Sequence, residues 1–153
     1  MIIKLKVKSE KLKAQCGFTL IEILIVMVII GLMAVISLFA LRGARESGRD
    51  AKRKGDLEAI RSALELYKAD CNRYPASLPW GSPLNGDGTN CPNTNRYIEV
   101  VPNDTMTGRN YSYTPSGSPP RSFTLCSSLE TGTGSVSGCG SCGATCNYKV
   151  RNP

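Results

Sequence analysis

The chain has 153 residues, a formal net charge of +7 and no histidine. The lack of histidine excludes Ser-His-Asp and Cys-His catalysis and removes the commonest metal ligand. Neither a glycine-rich phosphate loop nor an HExxH motif occurs in the sequence. We therefore expect a protein that is not an enzyme and that has room for one small domain.

The N-terminal region joins a basic segment to an apolar run. Residues 1–17 carry five lysines, namely Lys4, Lys6, Lys8, Lys11 and Lys13. Residues 23–41 contain no charged side chain, but Glu22 stands directly before them. A charged group at bilayer depth costs at least about 2.5–3.5 kcal/mol and persists mainly where it has a partner. The run is long enough to span a bilayer as a helix, and Glu22 then needs a cation that the run does not supply.

Gly17 and Phe18 form the junction between the two segments, and Glu22 follows at a short fixed offset. This arrangement resembles the class III signal of type IV pilins and type II secretion pseudopilins. The resemblance implies that a prepilin peptidase cleaves after Gly17 and methylates the new N-terminus at Phe18. It also implies that Glu22 pairs with the Phe18 ammonium of a neighbouring subunit during assembly, which would neutralise the buried charge.

Other kinds of N-terminal signal explain this region less well. An ordinary secretory signal has an apolar core of about 7–15 residues, which is shorter than this run. A lipoprotein signal places its cysteine after the apolar core, whereas Cys16 precedes it. A plain membrane anchor accounts for the length of the run but not for Glu22 or the Gly17–Phe18 junction.

The helix is expected to continue past the apolar run to about residue 69, because no proline occurs before Pro75. Beyond Leu41 the pattern becomes amphipathic. One apolar stripe has helical spacing and comprises Leu57, Ile60, Leu64 and Tyr67. Opposite charges at three- or four-residue spacing are expected to pair on the other face: Asp50 with Lys54, Glu58 with Arg61, and Arg61 with Glu65.

The predicted fold is α+β and pilin-like, with a long helix packed on a small antiparallel sheet. Residues 70–95 are rich in proline and glycine and are expected to form a loop. Strands are predicted at 97–101, 110–114, 122–126 and 148–150. We therefore expect a leader (1–17), an apolar assembly helix (18–41), an amphipathic extension (42–70) and a globular head (71–153).

Cysteine counting agrees with removal of the leader. Loss of Cys16 leaves six cysteines: Cys71, Cys91, Cys126, Cys139, Cys142 and Cys146. Six cysteines in an exported domain suggest up to three disulfides, with fifteen possible pairings. We expect Cys71–Cys91 and a bridge from Cys126 to the C-terminal cluster, and a tight Cys139–Cys142 bridge is also possible. A zinc site built from the last four cysteines is the disfavoured alternative.

A calcium site is the other metal hypothesis. Some major pseudopilins bind calcium in their C-terminal half, so the resemblance raises this question for the present chain. Asn85, Asp87 and Asn90 alternate with glycines as in calcium loops, but Arg96 stands where an EF-hand would place its final glutamate. We expect a turn-rich surface loop here, with neither metal nor cofactor.

The function predicted from the sequence is that of a structural subunit of a type IV pilus-like filament. The alternatives are the major pseudopilin of a type II secretion system and a DNA-uptake minor pilin. The cysteine-rich tail favours a pilus subunit, as does Asp104-Thr105-Met106-Thr107-Gly108 in place of the pseudopilin pattern Asp-Pro-Trp-Gly. Nucleic-acid binding is not expected, because the basic residues of the head are scattered: Arg96, Arg109, Arg121, Lys149 and Arg151.

The resemblance also implies partners and a location. The partners are further copies of the chain in a helical filament, the prepilin peptidase and an inner-membrane assembly platform. Before assembly the chain would span the cytoplasmic membrane once with its N-terminus inside, and afterwards it would lie in an extracytoplasmic filament. Basic residues flank both ends of the apolar run, so charge alone does not decide this orientation and the resemblance does.

Overall fold

The computed structural model describes residues 17–152 and contains one long helix, α1, spanning Leu20–Cys71. The helix begins and ends two residues later than expected. Thr19 caps its start, because the Thr19 hydroxyl accepts a hydrogen bond from the Glu22 amide at 3.3 Å. Asn72, with φ of 56°, ends it in the left-handed conformation typical of helix C-termini. The predicted leader lies outside the described residues, except for Gly17.

Two antiparallel sheets follow the helix, so the predicted α+β class is confirmed. One sheet pairs β1 with β2, and the other has the order β3-β4-β5. The strands are β1 Leu84–Asn85, β2 Arg96–Ile98, β3 Ser112–Ser116, β4 Ser122–Ser127 and β5 Tyr148–Arg151. Contacts between residues divide the chain into two compact units, Met1–Leu41 and Arg42–Pro153, and the second unit contains both sheets.

Three strand predictions need correction. Strand β1 lies inside the predicted loop and was missed because two residues carry no periodic signal. Residues 97–101 do not form one strand: β2 ends at Ile98, and Val101 forms a separate bridge with Trp80. Strand β3 begins two residues later than predicted and runs through Pro115, whereas the predicted strand ended at Thr114. Proline is tolerated there because β3 is an edge strand, paired only with β4.

The core of the second unit lies between α1 and the β3-β4-β5 sheet. The predicted stripe is confirmed, since Leu57, Ile60, Leu64 and Tyr67 are at most 3% exposed. Phe123 and Leu125 of β4 are buried in the same cluster. Tyr74, three residues beyond α1, packs edge-on against Phe123 with ring centroids 4.8 Å apart. The helix end and the central strand therefore share one apolar core.

Three disulfides connect the six cysteines of the head. Cys71 is joined to Cys91, which is the pairing expected from the sequence. Cys126 is joined to Cys139 within the C-terminal cluster, and the last bridge joins Cys142 to Cys146. The tight Cys139–Cys142 bridge therefore does not form. The zinc alternative fails as well, because disulfide sulfurs are not available as thiolate ligands.

Replacing Leu64 by alanine tests the assignment of the buried stripe. We expect Leu64→Ala to lower the free energy of unfolding by about 2–5 kcal/mol, because it leaves a cavity in the core. The matched control is Leu66→Ala, since Leu66 lies on the same helix but is 59% exposed, and it should change stability by less than about 0.5 kcal/mol. Denaturant unfolding of the detergent-solubilised chain, followed by the fluorescence of its single tryptophan, measures both.

Equal losses of unfolding free energy for Leu64→Ala and Leu66→Ala would contradict the observed packing of α1.

Candidate functional site

Gly17 and Phe18 lie in the short segment before α1. Phe18 is 78% exposed. A Cβ atom added to Gly17 would meet no atom within 4 Å. The described fold therefore places no steric demand on glycine at position 17.

The apolar run forms an exposed helical surface in the first unit. Between Phe18 and Leu41 every large apolar side chain is 46–84% exposed. Single exposed apolar residues are ordinary, but a contiguous surface of this extent marks contact with a membrane or another protein. The length and composition of the helix are those of a membrane span.

Glu22 is the one charged side chain near the start of this surface. It lies in the first turn of α1. The positive end of the helix dipole stabilises a carboxylate there by about 0.3–1 kcal/mol, which does not offset about 2.5–3.5 kcal/mol for a charge at bilayer depth. Within residues 17–152 no cation lies in ion-pair distance of Glu22.

A buried group of charges, absent from the sequence prediction, lies in the second unit. We call it the Arg53 cluster, and its members are Arg49, Asp50, Arg53, Asp104 and Glu130. The Arg53 guanidinium lies 2.8 Å from Asp50, 2.7 Å from Asp104 and 2.8 Å from Glu130. Arg49 adds a two-pronged contact with Glu130, with N–O distances of 2.7 and 2.6 Å. The side chain of Arg53 is only 2% exposed.

Asp50 links the Arg53 cluster to the backbone that follows β4. Its two carboxylate oxygens accept hydrogen bonds from the amides of Glu130 and Thr131, at 2.9 and 2.8 Å. The Thr131 hydroxyl donates a further bond at 2.7 Å. The predicted pair of Asp50 with Lys54 is therefore wrong. The Lys54 ammonium lies instead 5.6 Å from the centre of the Tyr148 ring.

Of the other two ion pairs predicted on α1, one forms and one does not. Arg61 does pair with Glu58, at 3.2 Å, on the exposed side of α1. Glu65 accepts a hydrogen bond from the Tyr74 hydroxyl at 2.9 Å and forms no ion pair with Arg61 in the described chain. The Tyr74 bond adds a polar connection between α1 and the segment that follows it.

Hydrogen bonding keeps the Asp50 and Glu130 carboxylates of the Arg53 cluster ionised despite burial. Burial acts to raise the pKa of Asp50, but the bonds from Glu130, Thr131 and Arg53 lower it to about 2. The Arg49 hydrogen bond is the main cause that lowers the pKa of Glu130 to about 2. The hydrogen bond to Asp104 is the main cause that raises the pKa of Arg53. Asp50, Arg53 and Glu130 are therefore charged at neutral pH.

The spacing of the cluster on α1 explains why it forms. Positions 50, 53, 57, 60, 64 and 67 continue a single stripe at intervals of three and four residues. Asp50 and Arg53 thus occupy the N-terminal end of the buried stripe, where burial without partners would be costly. Charges placed in register with an apolar stripe are the sequence signal that indicates such a cluster.

Among the residues of the calcium hypothesis, Asp87 is the only acid, and its carboxylate is engaged by other groups of the described chain. Asn90 donates hydrogen bonds to Asp87 from its backbone and side chain, both at 2.7 Å. Thr89 donates another at 2.9 Å, and Arg73 forms an ion pair with Asp87. These donors, led by the Asn90 side chain, lower the pKa of Asp87. The Asp87 oxygens are already filled, and Asn85 belongs to strand β1.

The C-terminal segment does not fit calcium either. Residues 131–153 contain no aspartate and no glutamate, whereas calcium requires six to eight oxygen ligands that usually include carboxylates. The carbonyl oxygens of Leu129 and Gly132 both accept hydrogen bonds from the Asn147 amide nitrogen, at 2.9 and 3.0 Å. A neutral donor thus lies where these two carbonyl groups converge.

Removing the central cation tests the Arg53 cluster. Arg53→Ala leaves buried carboxylates without their partner, so we expect a loss of about 3–5 kcal/mol in unfolding free energy. The matched control is Arg61→Ala, which breaks the exposed pair with Glu58 and should cost less than about 1 kcal/mol. The account of the cluster fails if chemical denaturation gives similar values for the two variants.

Two profiles of known protein families match this chain. The profile of the prokaryotic N-terminal methylation motif matches residues 12–38. The profile of type II secretion system protein G matches residues 40–140. No solved structure gives a significant match to the chain.

Individual relatives agree with the profiles. The chain is 33% identical to the type II secretion system core protein G of Vibrio cholerae over 112 residues, which are 71% of this chain and 76% of that protein. The Pseudomonas aeruginosa protein of that name is 33% identical over 110 residues, covering 69% of this chain and 77% of that one. The Aeromonas hydrophila protein is 40% identical over 65 residues, but this match spans only 46% of its length.

The two profiles match successive parts of the chain, and the Vibrio and Pseudomonas matches extend across most of it. The long N-terminal helix, with its exposed apolar surface, and the small antiparallel sheets form a pilin-like arrangement. The chain therefore belongs to the type II secretion system protein G family, that is, to the pseudopilins.

Proposed function

We propose that this chain is the structural subunit of a type II secretion pseudopilus. It is cleaved after Gly17, methylated at Phe18 and polymerised through the apolar part of α1. The observation that carries this proposal is the exposed apolar surface, with side chains 46–84% exposed and Glu22 at its start. No part of residues 17–152 covers this surface, so lipid covers it before assembly and further copies cover it afterwards.

Transfer of the apolar run from lipid to neighbouring helices gives Glu22 and the Phe18 ammonium a distinct role. Lipid tails are about as apolar as a helix surface, so moving from lipid to neighbouring helices gains little from the hydrophobic effect. Exposure to water would cost about 1.5–3 kcal/mol for each large side chain, so the run must stay covered. Glu22 and the Phe18 ammonium of a neighbour then set the axial register, because misplacement leaves a charge unpaired.

The comparisons favour a pseudopilus over the pilus that the sequence analysis preferred. That preference depended on the cysteine-rich tail and on the missing Asp-Pro-Trp-Gly pattern. Neither feature excludes a pseudopilin, because the protein G profile extends into the tail as far as residue 140 and covers residues 104–108. Asp104 matches the aspartate of that pattern. Its side chain is 1% exposed and forms an ion pair with Arg53.

A DNA-uptake role has less support. Three of the five basic side chains considered above are engaged within the head. Arg96 pairs with Glu99, Arg109 donates to the Ser128 carbonyl and Lys149 donates to the Ser137 carbonyl. Phosphate recognition requires several cations directed at one strand. A structural role, not an enzymatic one, agrees better with these contacts and with the absence of histidine.

The proposed partners and location follow from processing and polymerisation. Copies of the chain, the prepilin peptidase and the inner-membrane assembly platform are the partners. Before assembly the chain is a single-pass protein of the cytoplasmic membrane with its N-terminus inside. After assembly the subunit lies in an extracytoplasmic pseudopilus of the secretion machinery.

Glu22→Ala separates processing from polymerisation. Without the carboxylate the Phe18 ammonium has no partner in the polymer, so we expect cleavage to continue while filament yield falls at least about tenfold, equivalent to about 1.4 kcal/mol. Immunoblotting of sheared filaments and membranes measures both quantities. The control is Glu46→Ala, an exposed acid further along α1, which should assemble normally. Unchanged filament yield from Glu22→Ala would remove Glu22 from the mechanism.

Gly17→Ala tests the cleavage site separately from the fold. We expect the uncleaved precursor to accumulate, because the added methyl group meets nothing in the fold and so acts on the peptidase alone. Gly31→Ala is the matched control, since a Cβ atom there also meets no atom within 4 Å. It should be processed at the wild-type rate in pulse-chase labelling, whereas normal processing of Gly17→Ala would argue against this signal.

A further inference from the structure

The segment from Ser128 to Asn147, here called the C-terminal loop, is organised around one amide side chain. The Asn147 nitrogen donates to the carbonyls of Leu129 and Gly132, and its oxygen accepts the Leu129 amide at 2.7 Å. The Asn147 backbone amide donates to the Ser127 carbonyl at 3.1 Å. One asparagine therefore joins the end of the C-terminal loop to its beginning.

Gly132 allows this close approach. A Cβ atom at position 132 would lie 2.6 Å from the Asn147 side-chain nitrogen. Such a distance is too short for any side chain larger than hydrogen, so the neutral amide fills the space between the two carbonyls.

The disulfides supply the apolar interior of the C-terminal loop. Cys126, Cys142 and Cys146 form a buried cluster of their own, with Val136 and Cys139 packed against it. Cys126 and Cys142 are at most 1% exposed. Apart from these groups the loop is mainly glycine, serine and threonine, which bury too little apolar surface to hold a fixed conformation.

Carboxylates near the C-terminal loop are already engaged. The Asp50 carboxylate accepts the Glu130 and Thr131 amides, and the Glu130 carboxylate pairs with Arg49 and Arg53. The sequence beyond Glu130 adds no further acid. Carboxylate ligands for a divalent cation are thus absent from the sequence beyond Glu130 or engaged before it, while four of the six head cysteines belong to the loop or its base.

The pairing of the cysteines is sequential along the head. Cys71 pairs with Cys91, Cys126 with Cys139, and Cys142 with Cys146, so each joins the next cysteine in the chain. A chain oxidised in order from its N-terminal side reaches these pairs directly. Formation of the native set therefore requires an oxidant but no rearrangement of wrong pairs.

We propose that oxidation of two cysteine pairs around Asn147, with no divalent cation, orders the C-terminal loop. For each bridge two S–H bonds break and one S–S bond forms, and two electrons and two protons pass to the oxidant. The required partner is a disulfide-carrying thiol oxidase of the extracytoplasmic compartment, which is reduced in the exchange. The ordering of the loop depends only on the contacts of the head and not on the proposed filament role.

The direct test is limited proteolysis of the full chain in detergent, with mass spectrometry locating cuts within 128–147. Oxidised and reduced protein are each compared in millimolar calcium and in excess chelator. We expect the oxidised loop to resist cleavage equally in both, and the reduced loop to be cut at least about tenfold faster in both. Calcium protection of the reduced loop, chelator-induced cleavage of the oxidised loop, or resistance of the reduced loop would each overturn the proposal.

Cysteine and asparagine variants test which residues make the C-terminal loop resistant to protease. Cys126→Ser with Cys139→Ser should expose the loop to protease under oxidising conditions, and Asn147→Ala should do so to a smaller extent. The matched control is Cys71→Ser with Cys91→Ser, which removes a bridge outside the loop, and its loop should stay resistant. The proposal is contradicted if the control exposes the loop as much as the Cys126 and Cys139 pair does.

A refolding experiment tests whether the disulfides form without rearrangement. The reduced, denatured full chain is refolded with a small disulfide oxidant and no isomerase, and its bridges are mapped by peptide mass. We expect the three sequential pairs to dominate, whereas mainly scrambled pairs would show that oxidation alone does not suffice.

Discussion

An apolar helical surface that the described part of the chain leaves uncovered is the constraint on which this molecule depends. From Phe18 to Leu41 the large side chains are about half exposed or more, and Glu22 adds a charge at the start of that surface. Water is an unfavourable environment for such a surface, while lipid and neighbouring helices are both acceptable. Because those two environments are nearly equivalent for apolar groups, the proposed assembly takes its specificity from the few polar groups, Glu22 and the Phe18 amine.

The remainder of α1 belongs to the head and follows a different principle. Its buried stripe begins with the charged residues Asp50 and Arg53 and continues with apolar ones. Arg53 connects the helix to Asp104 before β3 and to Glu130 after β4. Apolar packing alone tolerates sliding of a helix over a sheet, whereas these directional bonds do not. The Arg53 cluster therefore fixes the register of α1 on the head.

The sequence predicts the parts of this structure that depend on long periodic patterns or on chemistry confined to a few adjacent residues. The family, the α+β class, the extent of α1 and the stripe from Leu57 to Tyr67 are of this kind. Polar pairing between distant residues escaped prediction: the Glu130 and Thr131 amides that bind Asp50 are 80 and 81 positions away, so the nearer Lys54 was chosen. Strand β1 was missed because two residues show no period. The choice between pilus and pseudopilus required relatives, since both share the N-terminal half.

The central claim is that the chain is processed after Gly17 and oxidised before it assembles. The intact mass of the protein from native membranes and sheared extracellular fractions, with and without reduction, tests this most directly. We predict a chain that starts at a methylated Phe18 and gains six hydrogens on reduction, as three disulfides require. A chain that retains residues 1–17 would contradict the account because it has no free amine at Phe18, and a chain cut near Ala44 would contradict it because both Phe18 and Glu22 are lost.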